Sequence, residues 1–147
     1  MTLGTSENPI EILLVEDNPG DVELTRRLLS RAQARVHISV VEDGEVAMSY
    51  LRRQGRYSDS IRPDLIILDL NMPKKDGYEV LGEMNAAPEL RGIPVMILTS
   101  TQAERARLYS YGINPSTDLW GLYQKPIDVA RFDSLIDRLV ASPPESQ

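Results

Sequence analysis

Polar side chains able to do chemistry stand where short apolar runs give out. Glu16-Asp17 follow the run Ile10 to Val15, Asp69 follows Leu65 to Leu68, Thr99 follows Val95 to Leu98, and Lys125-Pro126 follow a short run near Leu122 to Gln124. An acid directly behind a wholly aliphatic strand is hard to explain by solvation alone. If those strands lie parallel, their carboxyl ends share one rim, which is where open α/β sheets collect function. The carboxylates of Glu16, Asp17 and Asp69 would repel one another there unless a cation neutralised them. Oxygen donors without His or Cys suit a hard divalent ion, and few protein ligands supplemented by water suit Mg²⁺. A carboxylate beside such a metal, a hydroxyl (Thr99) and an ammonium (Lys125) can accept a phosphoryl group. Positioning and charge balance carry most of that reaction, and covalent capture on an Asp carboxylate is chemically ordinary.

The elements that must position these groups alternate strictly. The strand Ile10 to Val15 leads into Asn18-Pro19-Gly20-Asp21, a helix start with an N-cap and Pro at the first helical position. Val22, Leu24, Leu28 and Leu29 recur at helical spacing, which predicts a helix to Ala34. The strand Val36 to Val41 precedes Asp43-Gly44 and a helix carrying Val46, Ala47, Tyr50 and Leu51. The third strand, Leu65 to Leu68, reads as buried on both faces. A helix from Gly77 to Asn85, the strand Val95 to Leu98, and a fourth helix opening at the capping-box sequence Thr101-Gln102-Ala103-Glu104 follow. The last pair is a short strand near Leu122 to Gln124 and a fifth helix from Asp128 to Val140, with Phe132, Leu135, Ile136 and Leu139 at core spacing. Such alternation predicts a parallel sheet covered by helices on both faces. The connections Gln54 to Asp64 and Asn114 to Gly121 are longer than usual.

Bulk properties agree with one soluble α/β domain and exclude several classes. The 147 residues are 41% hydrophobic and 26% charged, ordinary for a single globular core. A formal net charge of -6 argues against nucleic acid as the main partner. With no cysteine and a single histidine, disulfides, thiolate metal sites and Ser-His triads are excluded or hard to build. No apolar run approaches a bilayer span and the N-terminus lacks a signal-peptide pattern, so the expected compartment is the cytoplasm.

Taken together, Glu16-Asp17, Asp69-Leu70-Asn71-Met72-Pro73, Asp76-Gly77, Thr99 and Lys125-Pro126 resemble the receiver domain of two-component response regulators over the stretch Glu11 to Val140. The resemblance implies a flavodoxin-like sheet of order 2-1-3-4-5 with five strands and five helices. It implies Asp69 as phospho-acceptor and a Mg²⁺ set of Glu16, Asp17, Asp69 and Asn71. In that set Asp17 binds directly, Glu16 through water and Asn71 through its backbone carbonyl. It further implies Thr99 and Lys125 on the phosphoryl oxygens, a cis Lys125-Pro126 peptide, and a sensor histidine kinase as donor. The expected division is a flexible tail over residues 1–9, a receiver domain over 10–141 and a flexible tail over 142–147, with no output domain following. Gln54-Gly55-Arg56-Tyr57, Arg62-Pro63-Asp64-Leu65 and Pro73-Lys74-Lys75-Asp76-Gly77 are similar to the small regulators that partner bacterial phytochromes, so the kinase partner would be of phytochrome type. Such a chain would be a switch acting only on its own phosphorylation state, not an enzyme with a separate substrate.

Blander readings and rivals stand beside this one. Glu16-Asp17 can simply cap the first helix, Lys125 can be a surface charge, and Lys74-Lys75 reads as a solvated loop pair. His37 reads as an edge histidine and Trp120 as cover for apolar surface. A haloacid-dehalogenase-type phosphatase also uses a strand-end Asp, but it needs an acid two residues later, where this chain has Asn71. A flavin module would need a Ser/Thr/Gly-rich phosphate loop after the first strand, and none is present. The chain departs from the family in carrying Leu122 where an aromatic switch residue is usual, with Tyr123 on the alternate side.

A homodimer is expected through the face of the fourth helix, fifth strand and fifth helix. Phe132, Leu135 and Leu139 can serve the core, leaving Val129, Ile136 and Val140 on a second line. Leu108, Tyr109, Tyr111, Ile113, Trp120 and Leu122 add apolar groups that one core should not need. The alternative is that the loop Asn114 to Gly121 covers this surface within one molecule.

Overall fold

The computed structural model of the chain describes residues 3–70, 76–99 and 120–141, with backbone only at residues 99, 120–124 and 141. Its five strands, β1 (Ile10–Val15), β2 (Val36–Val41), β3 (Leu65–Asp69), β4 (Val95–Thr99) and β5 (Trp120–Gln124), form one parallel sheet in the order β2-β1-β3-β4-β5. That is the order implied by the family resemblance. Around it lie α1 (Pro19–Leu29), α2 (Gly44–Leu51), α3 (Gly77–Ala86) and the C-terminal α4 (Val129–Ala141). The helix expected to open at Thr101 falls outside the described residues.

Strand alternation divides the core into two layers. Leu13 and Val15 of β1 join Ile66 and Leu68 of β3 against α2 and α3, where Met48, Tyr78, Leu81 and Met84 are buried. Ile12 and Leu14 join Leu65 and Ile67 against α1 and α4, packing on Leu29, Phe132, Leu135 and Ile136. β3 is buried along its whole length, as a central parallel strand should be. Any polar group it carries at its end is therefore held by a rigid support.

Several boundaries differ from expectation, each for a local reason. α1 stops at Leu29 because Ser30 turns its hydroxyl onto the Arg27 carbonyl at 2.6 Å, competing with the helical ladder. Leu24 lies on the exposed side of α1, while Thr25 and Leu29 face the sheet. β5 begins at Trp120, paired with Val95, so the expected long loop ends there. Segment 3–9, part of the flexible tail expected over residues 1–9, makes backbone contacts with the domain. Gly4 N–H donates to Asn8 O at 2.8 Å, Arg35 N–H donates to Gly4 O at 2.8 Å, and Leu3 packs against the α1–α4 layer. Ile136 corrects the second apolar line read for the C-terminal helix. It is only 4% exposed and belongs to the core, because α4 turns a wider stripe inward than Phe132, Leu135 and Leu139 alone define. Val140, 38% exposed, remains on the surface.

Candidate functional site at the carboxyl rim

The sheet brings its chemistry to one rim. Glu16 is the first residue beyond β1, fixed by its N–H donating to Val41 O at 3.0 Å. Asp69 is the last residue of β3, one strand over. Thr99 ends β4 and pairs in register with Gln124 at the end of β5. Lys125 follows immediately, joined to Pro126 by the cis peptide that the resemblance implied. Asn18 caps α1 through its side chain, taking the Asp21 N–H at 3.0 Å, while Asn18 N–H donates to Glu16 Oε2 at 3.2 Å. The turn after β1 is thus stitched to the acid it carries.

Glu16 and Asp69 are buried, at 2% and 6% exposure, whereas Asp17 is exposed. One ligand oxygen from each of Glu16, Asp17 and Asp69 lies within 4.8 Å of the others. That spacing and an all-oxygen donor set fit a hard divalent cation. The Lys125 ammonium reaches Asp21 Oδ2 at 3.0 Å, Glu16 Oε1 at 3.3 Å and Asp69 Oδ1 at 3.5 Å. Burial raises the Glu16 carboxyl to about 7, and the Asp69 charge pushes the same way against the Lys125 ammonium and the Asn18 N–H. For Lys125, burial alone would lower the value. The hydrogen bond to Asp21 and the charges of Asp69, Glu16 and Asp21 outweigh it and hold the ammonium above its ordinary value.

Glu16, Asp17, Asp69 and Lys125 are therefore brought together as the sequence predicts. Asn71 and the Thr99 hydroxyl fall outside the described residues, as do Lys74 and Lys75. His37 is an exposed edge residue, its Nδ1 2.8 Å from Glu11 Oε1. One contributor escaped the sequence reading, and one was read only as part of a motif. Asp21 looked like helix-start chemistry only, and nothing local announces that a lysine 104 residues later reaches it. Gly77 packs its α-carbon onto the end of β3. A β-carbon there would stand 2.7 Å from Asp69 O and 2.7 Å from Leu70 Cα, and Gly77 N–H donates to Leu70 O at 3.0 Å. Asp76 and Glu79 fix this junction through a reciprocal capping box. The Asp76-x-x-Glu79 spacing was a readable signal for it.

Comparison with known proteins agrees with this geometry. The family model described as the response regulator receiver domain matches residues 12–136. Response regulator Rcp1 of Synechocystis sp. is 43% identical over 109 residues, spanning 74% of this chain and 74% of that protein. A Mn(2+)-bound form of Rcp1 superposes with a TM-score of 0.68 at 34% identity, covering 95% of this chain and 97% of that one. The phosphorylated cyanobacterial phytochrome response regulator RcpA gives 0.69 at 36% identity, covering 90% and 94%. The bacteriophytochrome response regulator AtBRR gives 0.77 at 37%, covering 88% and 91%. Among the described residues no helix is long and apolar enough to cross a membrane.

Proposed function

The chain belongs to the response regulator receiver family and is related to regulators that partner phytochromes, and from that premise we propose that it accepts a phosphoryl group on Asp69 from a histidine kinase of phytochrome type, with Mg²⁺. The observation that carries this reading is the convergence of Glu16, Asp17 and Asp69 within 4.8 Å, with Lys125 3.5 Å from the Asp69 carboxylate. Glu16, Asp17 and Asp69 would hold the metal, together with the backbone carbonyl of Asn71. When bound, Mg²⁺ supplies positive charge against the oxygens of the transferred group.

An Asp69 carboxylate oxygen forms the new bond to phosphorus as the phosphorus–nitrogen bond of the kinase's phosphohistidine breaks. The electron pair of that bond returns to the imidazole, which takes up a proton. Lys125 balances charge on the phosphoryl oxygens and Thr99 donates a hydrogen bond to one of them. β3, buried on both faces, holds the accepting oxygen still while the donor approaches. Hydrolysis of the acyl phosphate resets the site, so the chain acts only on its own phosphorylation state, in the cytoplasm where such kinases present their phosphohistidine. The changed charge would alter a protein-interaction surface. A homodimer around β5 and α4 would use Val129 and Val140, since Ile136 is committed to the core. Sedimentation of wild type and Val140→Glu across a concentration series tests that pairing.

Incubation with a small acyl phosphate should label the wild type only when Mg²⁺ is present. Asp69→Asn should remove the label altogether, and Asp17→Asn should require at least about tenfold more Mg²⁺, the usual scale for a lost metal ligand or its support. Intact-mass spectra that show equal labelling of wild type and Asp69→Asn would overturn the reading.

A further inference from the structure

Lys125 donates its shortest hydrogen bond away from the proposed acceptor. Its Nζ stands 3.0 Å from Asp21 Oδ2, against 3.3 Å for Glu16 and 3.5 Å for Asp69. Asp21 is itself fixed. It sits in the first turn of α1, behind Pro19, with its N–H donated to Asn18 Oδ1 at 3.0 Å. The helix dipole favours a negative charge in that turn, and the cap holds the Asp21 side chain on a rigid support. Its side chain is 42% exposed and that of Lys125 24%, so water screens the pair only in part. Asp21 and Lys125 also share the lining of a cavity of about 200 Å³ with Glu16, Leu24, Pro126 and Ile127, which gives the ammonium room to move between partners.

We propose that Asp21 is a positioning residue: it tethers Lys125 in the resting state and draws the ammonium off Asp69, so that an arriving phosphoryl group must win Lys125 from it. This rests on the phospho-acceptor reading above. An ammonium has three N–H donors, and in the resting state they are spread over Asp21, Glu16 and Asp69. Binding of a divalent cation to Glu16 and Asp69 would weaken the pull of those two carboxylates, which leaves Asp21 as the remaining anion on Lys125. The tether therefore gains hold on the lysine when the site is loaded and awaiting a donor. Glu23 supplies the contrast. It lies on the same helix and carries the same charge, but it is 65% exposed and pairs with Arg27 at 3.5 Å.

The test compares Asp21→Asn, Asp21→Glu and Glu23→Gln in full-length protein at saturating Mg²⁺ with a small acyl phosphate as donor. Asp21→Asn should raise the initial rate of Asp69 labelling by roughly tenfold, the scale of one competing charge-assisted hydrogen bond. Asp21→Glu should return towards wild type and Glu23→Gln should stay within about twofold, as a screened surface charge does. In a Lys125→Met background the Asp21→Asn effect should vanish, because Asp21 acts only through that lysine. The ζ-ammonium signal of Lys125 in ¹⁵N-lysine-labelled protein should move in Asp21→Asn and hold still in Glu23→Gln. Equal rates for Asp21→Asn and Glu23→Gln, persistence of the effect without Lys125, or an unmoved Lys125 signal would each overturn the tether. A wild type that takes no label overturns the phospho-acceptor reading instead, and the Lys125 signal then decides the tether alone.

Discussion

The two ends of the sheet both carry partly buried acids, and they handle them differently. At the amino end, Asp64 Oδ2 accepts from Glu11 N–H at 2.8 Å while Asp64 N–H donates to Glu11 O at 2.7 Å, and Glu11 pairs with His37. Each carboxylate there has a local partner, much of it backbone, and the group links β1 to the start of β3. At the carboxyl end, Glu16, Asp21 and Asp69 converge on one ammonium, and Asp17 stands within metal-sharing distance of two of them. A carboxylate that serves the fold is satisfied where it stands. Surplus negative charge gathered on a rigid rim signals a cation that the fold does not supply, and the energy of that repulsion is recovered when one binds.

The largest expected break in this contrast comes from Gly77. A β-carbon 2.7 Å from Asp69 O and Leu70 Cα cannot be absorbed by a rotamer change, because backbone is what it meets. Gly77→Ala should cost about 3 kcal/mol in urea unfolding. It should also lower Asp69 labelling out of proportion, since the end of β3 must move. The same substitution at exposed Gly55 has open space but a positive φ of 57°, and there a cost of about 1 kcal/mol without loss of labelling is expected.

A pH titration of stability in EDTA sharpens the contrast next. Glu16 has its folded value raised to about 7 from 4.5, so folding favours its protonated form. The stability this contributes is complete below pH 4.5 and is lost as pH rises through about 7. Metal-free wild type should therefore lose about 2 kcal/mol between pH 5 and pH 8 from this group, and Glu16→Gln should flatten that slope. Mg²⁺ should restore stability at pH 8 in the wild type, because it binds the folded rim alone. Thermal melts across pH, with and without the metal, would check both.

The smallest effect belongs to the amino end. Burial raises the Asp64 carboxyl above its ordinary range, with the Glu11 N–H opposing and the Glu11 charge adding. Ionising it thus works slightly against folding as pH rises. Asp64→Asn keeps an acceptor for Glu11 N–H and should change stability at pH 7 by less than about 1 kcal/mol. It should leave Mg²⁺ stabilisation and labelling as they are. Asp64→Leu leaves a partly buried N–H without its acceptor and should cost about 1 kcal/mol. A change in metal response with either variant would mean that the two ends are coupled.

Much of this was legible beforehand because it depends on local pattern. Unbroken aliphatic runs such as Leu65 to Leu68 dictate buried parallel strands, and the residue after each run is placed by the strand that precedes it. Glu16, Asp17, Asp69 and Lys125 could be read for that reason. What escaped depends on distance in sequence or on a small turn in space. Asp21 meets Lys125 only through the fold, and periodicity alone puts Ile136 both at core spacing and on the outer line, a choice its burial makes. Ser30 ended α1 early through one hydroxyl bond, which periodicity does not register. Gly77 was visible as a motif, yet the contact that demands glycine there appears only once β3 and α3 are placed together.

Chemical trapping reads out whether Asp69 is the residue that accepts the phosphoryl group. Wild type is incubated with a small acyl phosphate and Mg²⁺, reduced with borohydride, digested and sequenced by mass spectrometry. Reduction of an aspartyl phosphate converts that aspartate to homoserine. Homoserine is expected at position 69 alone, and none when EDTA replaces Mg²⁺. Homoserine at position 17 or 21, or an unreduced Asp69 in protein that carries the phosphoryl group, would contradict it.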